Sequence, residues 1–243
     1  MALPILDTAT YELTLPSSDV QVKYRPFLVK EEKILLMAME SENAGEITKA
    51  LKEIVHACTF GSVNVEALPT FDIEYIFLNV RAKSVGEMAK LKLKCPDDNE
   101  TYASVEVDLS KVEVQVDDEH SNTIQINDKI KMIMKYPTID SFDPSVDATT
   151  LKTEQLFDVI AGSVYEIYDG ETVHKASDYS KEEMNKFLDS LTSDHFAKIQ
   201  KFFNTMPRLQ HEVEIENPKT KVKSKVMLAG LQSFFVSPSH MTT

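Results

Sequence analysis

The sequence predicts an α+β fold: a mainly helical core that carries two antiparallel β excursions. Three observations predict it. Apolar residues recur at helical spacing over 25–85 and again over 150–206. Over 86–136 and 208–228 the apolar period falls to two, the mark of half-buried strands. The chain has 243 residues, of which 42% are hydrophobic and 27% charged, so it can bury a core without disulfide or metal staples.

The elements follow in order. Tyr11, Leu13 and Leu15 alternate with polar residues, Pro16-Ser17-Ser18-Asp19 has turn chemistry, and Val20 to Tyr24 alternates again. This predicts a β-hairpin. Pro26 breaks any ladder at the exit. Lys30 to Met39 has helix composition. In the next helix, from Glu46 to Cys58, the residues Ile47, Leu51, Ile54, Val55 and Cys58 form one stripe. A third helix starts near Leu68-Pro69, carries Asp72 in its first turn and runs to about Ser84. It is apolar nearly all round, which predicts burial at the centre.

The period-two stretch then places Leu91, Leu93 and Cys95 on one face. Val105, Val107 and Leu109 follow, then Val112, Val114 and Val116, then Ile124, Ile126 and Ile130 to Met134. Residues 137–144 read as a linker. From Thr153, the residues Leu156, Phe157, Ile160, Val164 and Ile167 predict a helix face. Ser180 and Glu183 are spaced as a capping box, and Ser193-Asp194 opens the next helix. Two alternating runs around Asn217-Pro218-Lys219-Thr220 close the chain as a hairpin. The expected organisation is 1–85, β-hairpin plus helices; 86–136, β subdomain; 137–207, helical region; 208–236, C-terminal hairpin; 237–243, frayed tail. The two β excursions are expected to share one sheet.

Charge and motif content exclude several functions. Lys and Arg total 26 against 39 Asp and Glu, a net charge of -13. Nucleic acid and anionic membrane surfaces both select for basic faces, so neither is expected as a partner. Lys219, Lys221, Lys223 and Lys225 line one side of a strand and read as a solvated face. No apolar run approaches a membrane span, and the first residues lack the pattern of a secretory signal. There is no Gly-rich phosphate loop, and no pattern of a zinc protease, a serine hydrolase or a calcium loop. No cofactor and no catalytic residue is expected, and the chain is read as a non-enzyme. The rival reading is an enzyme built on Asp117, Asp118, Glu119 and His120, the densest titratable run; the plainer reading is a solvated loop.

One internal echo stands out. Cys95-Pro96-Asp97-Asp98 and Asn217-Pro218-Lys219-Thr220 both sit between alternating strands. That is the shape of a zinc-ribbon knuckle, whose ligands stand three apart. A structural zinc needs four thiolate or imidazole ligands. Of Cys95, Asp98, Asn217 and Thr220, only Cys95 qualifies, so the pair resembles degenerate zinc-ribbon hairpins held by packing, with no metal expected.

Two long stretches carry a family likeness. One is Leu3 to Leu6 with Tyr24-Arg25-Pro26-Phe27-Leu28-Val29-Lys30-Glu31-Glu32-Lys33. The other is Leu68 to Leu78 followed by Arg81 to Glu87. With Phe202 to Pro207 and Leu228 to Phe235, they resemble the baseplate hub assembly proteins of T4-type contractile-tailed phages. The resemblance implies a non-enzymatic late protein that assists assembly of the baseplate central hub in the host cytoplasm. The alternative it leaves open is a permanent structural subunit of the virion baseplate or tail. Implied partners are other hub proteins or the tape measure, with a second copy of the chain as a further option. Exposed apolar residues are the candidate contacts: Phe142, Phe234 and Phe235.

Overall fold

The structure is a computed structural model that describes residues 6–141 and 153–234. In chain order its strands are β1 (Tyr11–Thr14), β2 (Gln21–Tyr24), β3 (Met88–Lys94), β4 (Tyr102–Asp108), β5 (Glu113–Gln115), β6 (Thr123–Gln125), β7 (Ile130–Met134), β8 (Val164–Asp169), β9 (Thr172–Lys175), β10 (Arg208–Glu216) and β11 (Lys223–Ala229). Its helices are α1 (Val29–Glu40), α2 (Ala44–Cys58), α3 (Thr70–Val85), α4 (Thr153–Ser163), α5 (Lys181–Asp189) and α6 (Ser193–Thr205). The fold class is α+β, as the periodicity predicts. The chain divides into two compact units, one of Met1–Gln115 with Arg208–Thr243 and one of Val116–Pro207.

The first unit is organised around α3. Phe71, Ile73, Ile76, Phe77, Leu78 and Val80 of this helix are all buried, consistent with its all-round apolar sequence. It packs against α2, β5, β10 and the single turn Leu231–Phe234. The α2 stripe supplies Leu51, Ile54, Val55 and Cys58 to the interior. Asn43 caps α2, its side-chain oxygen accepting from the backbone N–H groups of Gly45 and Glu46. The β1–β2 hairpin pairs Leu13 with Val22 and Tyr11 with Tyr24. Its turn is tied to the start of α3: Ser17 donates its N–H to Asp72 Oδ1 at 3.2 Å and its hydroxyl to Asp72 Oδ2.

The chain leaves β2 through a buried ion pair. Arg25 Nη2 meets Glu31 Oε1 at 2.9 Å, and both residues are buried. Glu31 Oε2 also accepts the Leu28 N–H at 2.8 Å, closing the first turn of α1 from inside. The Arg25 N–H reaches the carbonyl of Cys58, at the end of α2. Burial pushes the Glu31 carboxyl upward, but the hydrogen bonds from Arg25 and Leu28 and the Arg25 charge outweigh it and hold the group below its ordinary range.

The two β excursions share a sheet in part: β5 of the first joins β10 and β11 of the second in the order β11-β10-β5, while β3 and β4 form a separate two-stranded sheet. Of the strands in 86–136, β3 to β5 belong to the first unit and β6 and β7 to the second. Period two reports a half-buried strand but not which sheet it joins.

The second unit is a four-stranded antiparallel sheet in the order β6-β7-β8-β9, covered on one face by helices. Ile124, Met132, Met134, Val164, Ile160, Met184, Leu188, Ile199 and Phe202 form its core. The helix expected to continue through Val164 and Ile167 ends at Ser163. Val164-Tyr165-Glu166-Ile167-Tyr168 is β-branched and aromatic, and β7 is available to pair with it: Met132 faces Ile167 and Met134 faces Val164. Tertiary pairing therefore overrides the i, i+4 spacing. The capping box at Ser180 forms as predicted, with Glu183 Oε2 accepting the Ser180 N–H at 2.8 Å. The cap of α6 is Thr192, one residue before the expected Ser193, and its hydroxyl accepts the His195 N–H.

Candidate functional site

The echoed turns share two backbone features. In the first, the Asn99 N–H donates to the Cys95 carbonyl at 2.9 Å; in the second, the Lys221 N–H donates to the Asn217 carbonyl at 2.9 Å. The fifth residue of each is left-handed, with φ of 54° at Asn99 and 64° at Lys221. The two turns also meet. Asn217 Nδ2 donates to Asp97 Oδ1 at 3.0 Å and Oδ2 at 3.1 Å, and the Thr220 hydroxyl donates to Asp97 Oδ2 at 2.5 Å. Asn217 Oδ1 meanwhile accepts the N–H groups of Lys219 and Thr220, so one amide holds its own turn and its neighbour.

The four knuckle positions thus serve hydrogen bonding. Asp98 turns inward on its own loop, accepting from Glu100 N, Thr101 N and the Thr101 hydroxyl. Those bonds, the Thr101 hydroxyl first, hold its carboxyl far below the usual carboxylate range. Asp97 is lowered for the same reason, by Asn217 and then Thr220. Cys95 is buried and free, its thiol pushed up by burial and by the charges of Asp97 and Asp98. Among the described residues no three His, Cys, Asp or Glu side chains gather where they could hold a metal ion. Asp97, which the knuckle spacing does not include, is the residue that joins the turns. The signal for it was the acidic Asp97-Asp98 pair opposite an amide.

The candidate contact residues fall differently. Phe142 and Phe235 lie outside the described residues. Phe234 is 0% exposed, so its expected exposure is corrected. It sits in the single turn that packs on α3, and Leu231 beside it donates its N–H to Glu74 Oε1 at 3.1 Å. Burial raises the Glu74 carboxyl to about 7, against the opposing Leu231 hydrogen bond. An apolar side chain next to a polar tail looked exposed in sequence, but the tail does not decide where the ring goes.

Sequence reasoning missed the apolar residues that are exposed. On α1, Val29 is 80% exposed, Leu36 46% and Met37 59%. Phe60, just past α2, is 58% exposed. The signal was present in Ile34-Leu35-Leu36-Met37-Ala38-Met39: a helix apolar on every side cannot bury all of them against one neighbour. The lysine row is paired rather than bare. Lys225 meets Glu212 at 2.7 Å, Lys223 meets Glu214 at 3.3 Å and Lys221 meets Glu216 at 4.0 Å. Of these, Lys223 and Lys225 lie on β11, the edge of its sheet, where charge discourages pairing with another strand.

In the second unit the titratable run 117–120 is split by role. His120 turns inward: Nδ1 is 3.0 Å from the Thr205 hydroxyl and Nε2 is 3.0 Å from the Tyr136 hydroxyl. Its ring packs against Tyr136 and Phe202. Burial lowers its basicity, opposed by Asp117. Glu119 pairs with Lys201 at 2.6 Å, and Asp117 accepts the Glu119 N–H. The run therefore closes a loop onto α6. The same unit carries a cleft of about 350 Å³ between α5 and the sheet, with Ile130, Ile167, Met184 and Phe187 inside.

Comparison with known proteins places this architecture. The protein-family model described as "T4 bacteriophage base plate protein" matches residues 8–236. No curated protein and no solved structure matches the chain. The match covers both units and both echoed turns, and the chain belongs to that family.

Proposed function

We propose, from the premise that this phage baseplate protein works by contact with other baseplate proteins, that it is a non-enzymatic assembly factor for the central hub. In this reading it acts in the host cytoplasm during tail assembly, and its partners are other hub proteins or the tape measure. The family match over 8–236 carries the proposal. The exposed apolar residues Val29, Leu36, Met37 and Phe60 support it, since each offers area that a partner could remove from water. At about 25 cal/mol per Å² of apolar surface, one covered side chain already contributes a useful anchor.

The test is affinity capture of the tagged protein from infected cells, followed by mass spectrometry of what it carries. Recovery of hub or tape-measure proteins supports the proposal. Recovery of host proteins alone, or of nothing, contradicts it. Alanine at Asp117, Asp118, Glu119 and His120 tests the rival enzymatic reading. His120 packs against Tyr136 and Phe202, so circular dichroism first establishes that the variant is folded; unchanged phage yield from the folded variant is expected, and a loss of yield from it supports the enzymatic reading.

A further inference from the structure

We infer that the cleft of the second unit is a receptor for a partner polypeptide that presents one bulky apolar side chain beside a lysine or arginine. The inference rests on the reading above, that the chain works by protein–protein contact.

The cleft has two chemically distinct parts. Its floor is apolar: Ile130 and Ile167 rise from β7 and β8, and Met184 and Phe187 descend from α5. Its mouth is acidic, with Asp169 at the end of β8 and Glu183 in the first turn of α5. The remaining lining groups, His174 and Tyr179, are joined to each other, with His174 Nδ1 2.6 Å from the Tyr179 hydroxyl. That bond occupies His174 Nδ1 and the Tyr179 hydroxyl, and the four floor side chains carry no hydrogen-bonding side-chain group of their own. Among the described residues no lysine or arginine lines the cleft.

Size and charge select the occupant. A volume of about 350 Å³ accepts one or two side chains and lies at the low end of small-ligand sites, about 300–1,000 Å³. The apolar floor takes the bulky group. The two carboxylates take a cation held next to it, and they repel an acidic ligand. Glu183 uses Oε2 for the Ser180 N–H and hydroxyl, and Oε1 remains for the partner. A second copy of this chain is a poor occupant, because two molecules of net charge -13 repel one another.

The test is an NMR titration of the full chain, reading the methyl signals of Ile130, Ile167 and Met184. The probes are acetyl-Arg-Phe-Arg-amide and acetyl-Glu-Phe-Glu-amide. The basic peptide is expected to shift all three signals, and the acidic peptide to bind at least about tenfold more weakly. Added salt should narrow that gap. The double variant D169N/E183Q should weaken the basic peptide about tenfold, with the other methyl signals unmoved. Both residues are exposed, and the glutamine side chain introduced by E183Q can still complete the capping box, so this variant keeps the fold. Equal binding of the two peptides, or no shift of the three methyls with either, overturns the inference. Co-sedimentation with baseplate subassemblies reads the broader proposal separately. Association with hub subassemblies but no peptide shift overturns the cleft alone. A specific peptide shift without such association overturns the hub proposal and leaves the cleft as a receptor for a different partner.

Discussion

The two units organise their interiors with different chemistry. In the first, a buried ion pair, Arg25 to Glu31, fixes the entry to α1, and charged and amide groups join segments far apart in sequence: Ser17 to Asp72, Leu231 to Glu74 and Asn217 to Asp97. In the second, a sheet and three helices meet through aliphatic and aromatic side chains, and one imidazole lies among the rings. The first unit is built from two pieces of chain separated by the whole of the second. Apolar contact alone says little about which piece goes where, whereas a buried donor accepts few partners. The lesson is that polar contacts specify the discontinuous unit, while packing suffices for the continuous one.

Removing one interior group of each kind should affect the two units separately. Phe202→Ala should cost the second unit about 3–5 kcal/mol through lost burial and a cavity. Glu31→Ala should cost the first unit about 3–5 kcal/mol, because Arg25 is left buried without its partner. Denaturant unfolding gives the totals. Hydrogen exchange should place the first loss in α4 to α6 and the second in α1 and the β1–β2 hairpin.

Glu74→Gln should change how the stability of the first unit depends on pH. A carboxyl raised to about 7 in the folded state, from 4.5 unfolded, keeps its proton on folding. Stability is then highest below the unfolded value and falls as pH rises from 4.5 towards 7 and above, by about 3 kcal/mol. The glutamine variant should lose this slope and be more stable than the parent at pH 8, measured by unfolding at pH 5 and pH 8. An unchanged slope would remove Glu74 as its origin.

Asp97→Ala should have a smaller and more local effect. The turns at 95–99 and 217–221 should exchange faster while α3 keeps its protection. The sign of its pH dependence is opposite to that of Glu74. Asp97 is lowered on folding, so its contribution is present above its unfolded value and is lost as pH falls through the folded one. The smallest effect belongs to Lys225→Ala. Its pair with Glu212 is exposed to solvent, so the change in unfolding midpoint should be close to nil and smaller still in high salt.

Much of this fold is legible in sequence, for physical reasons. The α2 stripe, the all-round apolar α3 and the Ser180 box have local causes, and each appears where its spacing puts it. Val164 is misread because the same residues satisfy a helix face and a strand, and β7 decides between them. The sheet partners of β5 and β10 are fixed by contacts about ninety residues apart, which no local pattern carries. At the echoed turns, Pro96 and Pro218 reveal the shared conformation, while the Asp97 clasp depends on how two distant loops meet. Phe234 and Met37 show the limit of composition: both are apolar, one is buried and one exposed, and only packing separates them.

An assembly factor of the kind proposed above acts during tail building and is absent from the finished particle. Quantitative mass spectrometry of purified tails, set against the infected-cell lysate, tests it most directly. The account predicts abundant protein in the lysate and none in stoichiometric amount in finished tails. A fixed copy number per tail would contradict it and make the chain a permanent subunit.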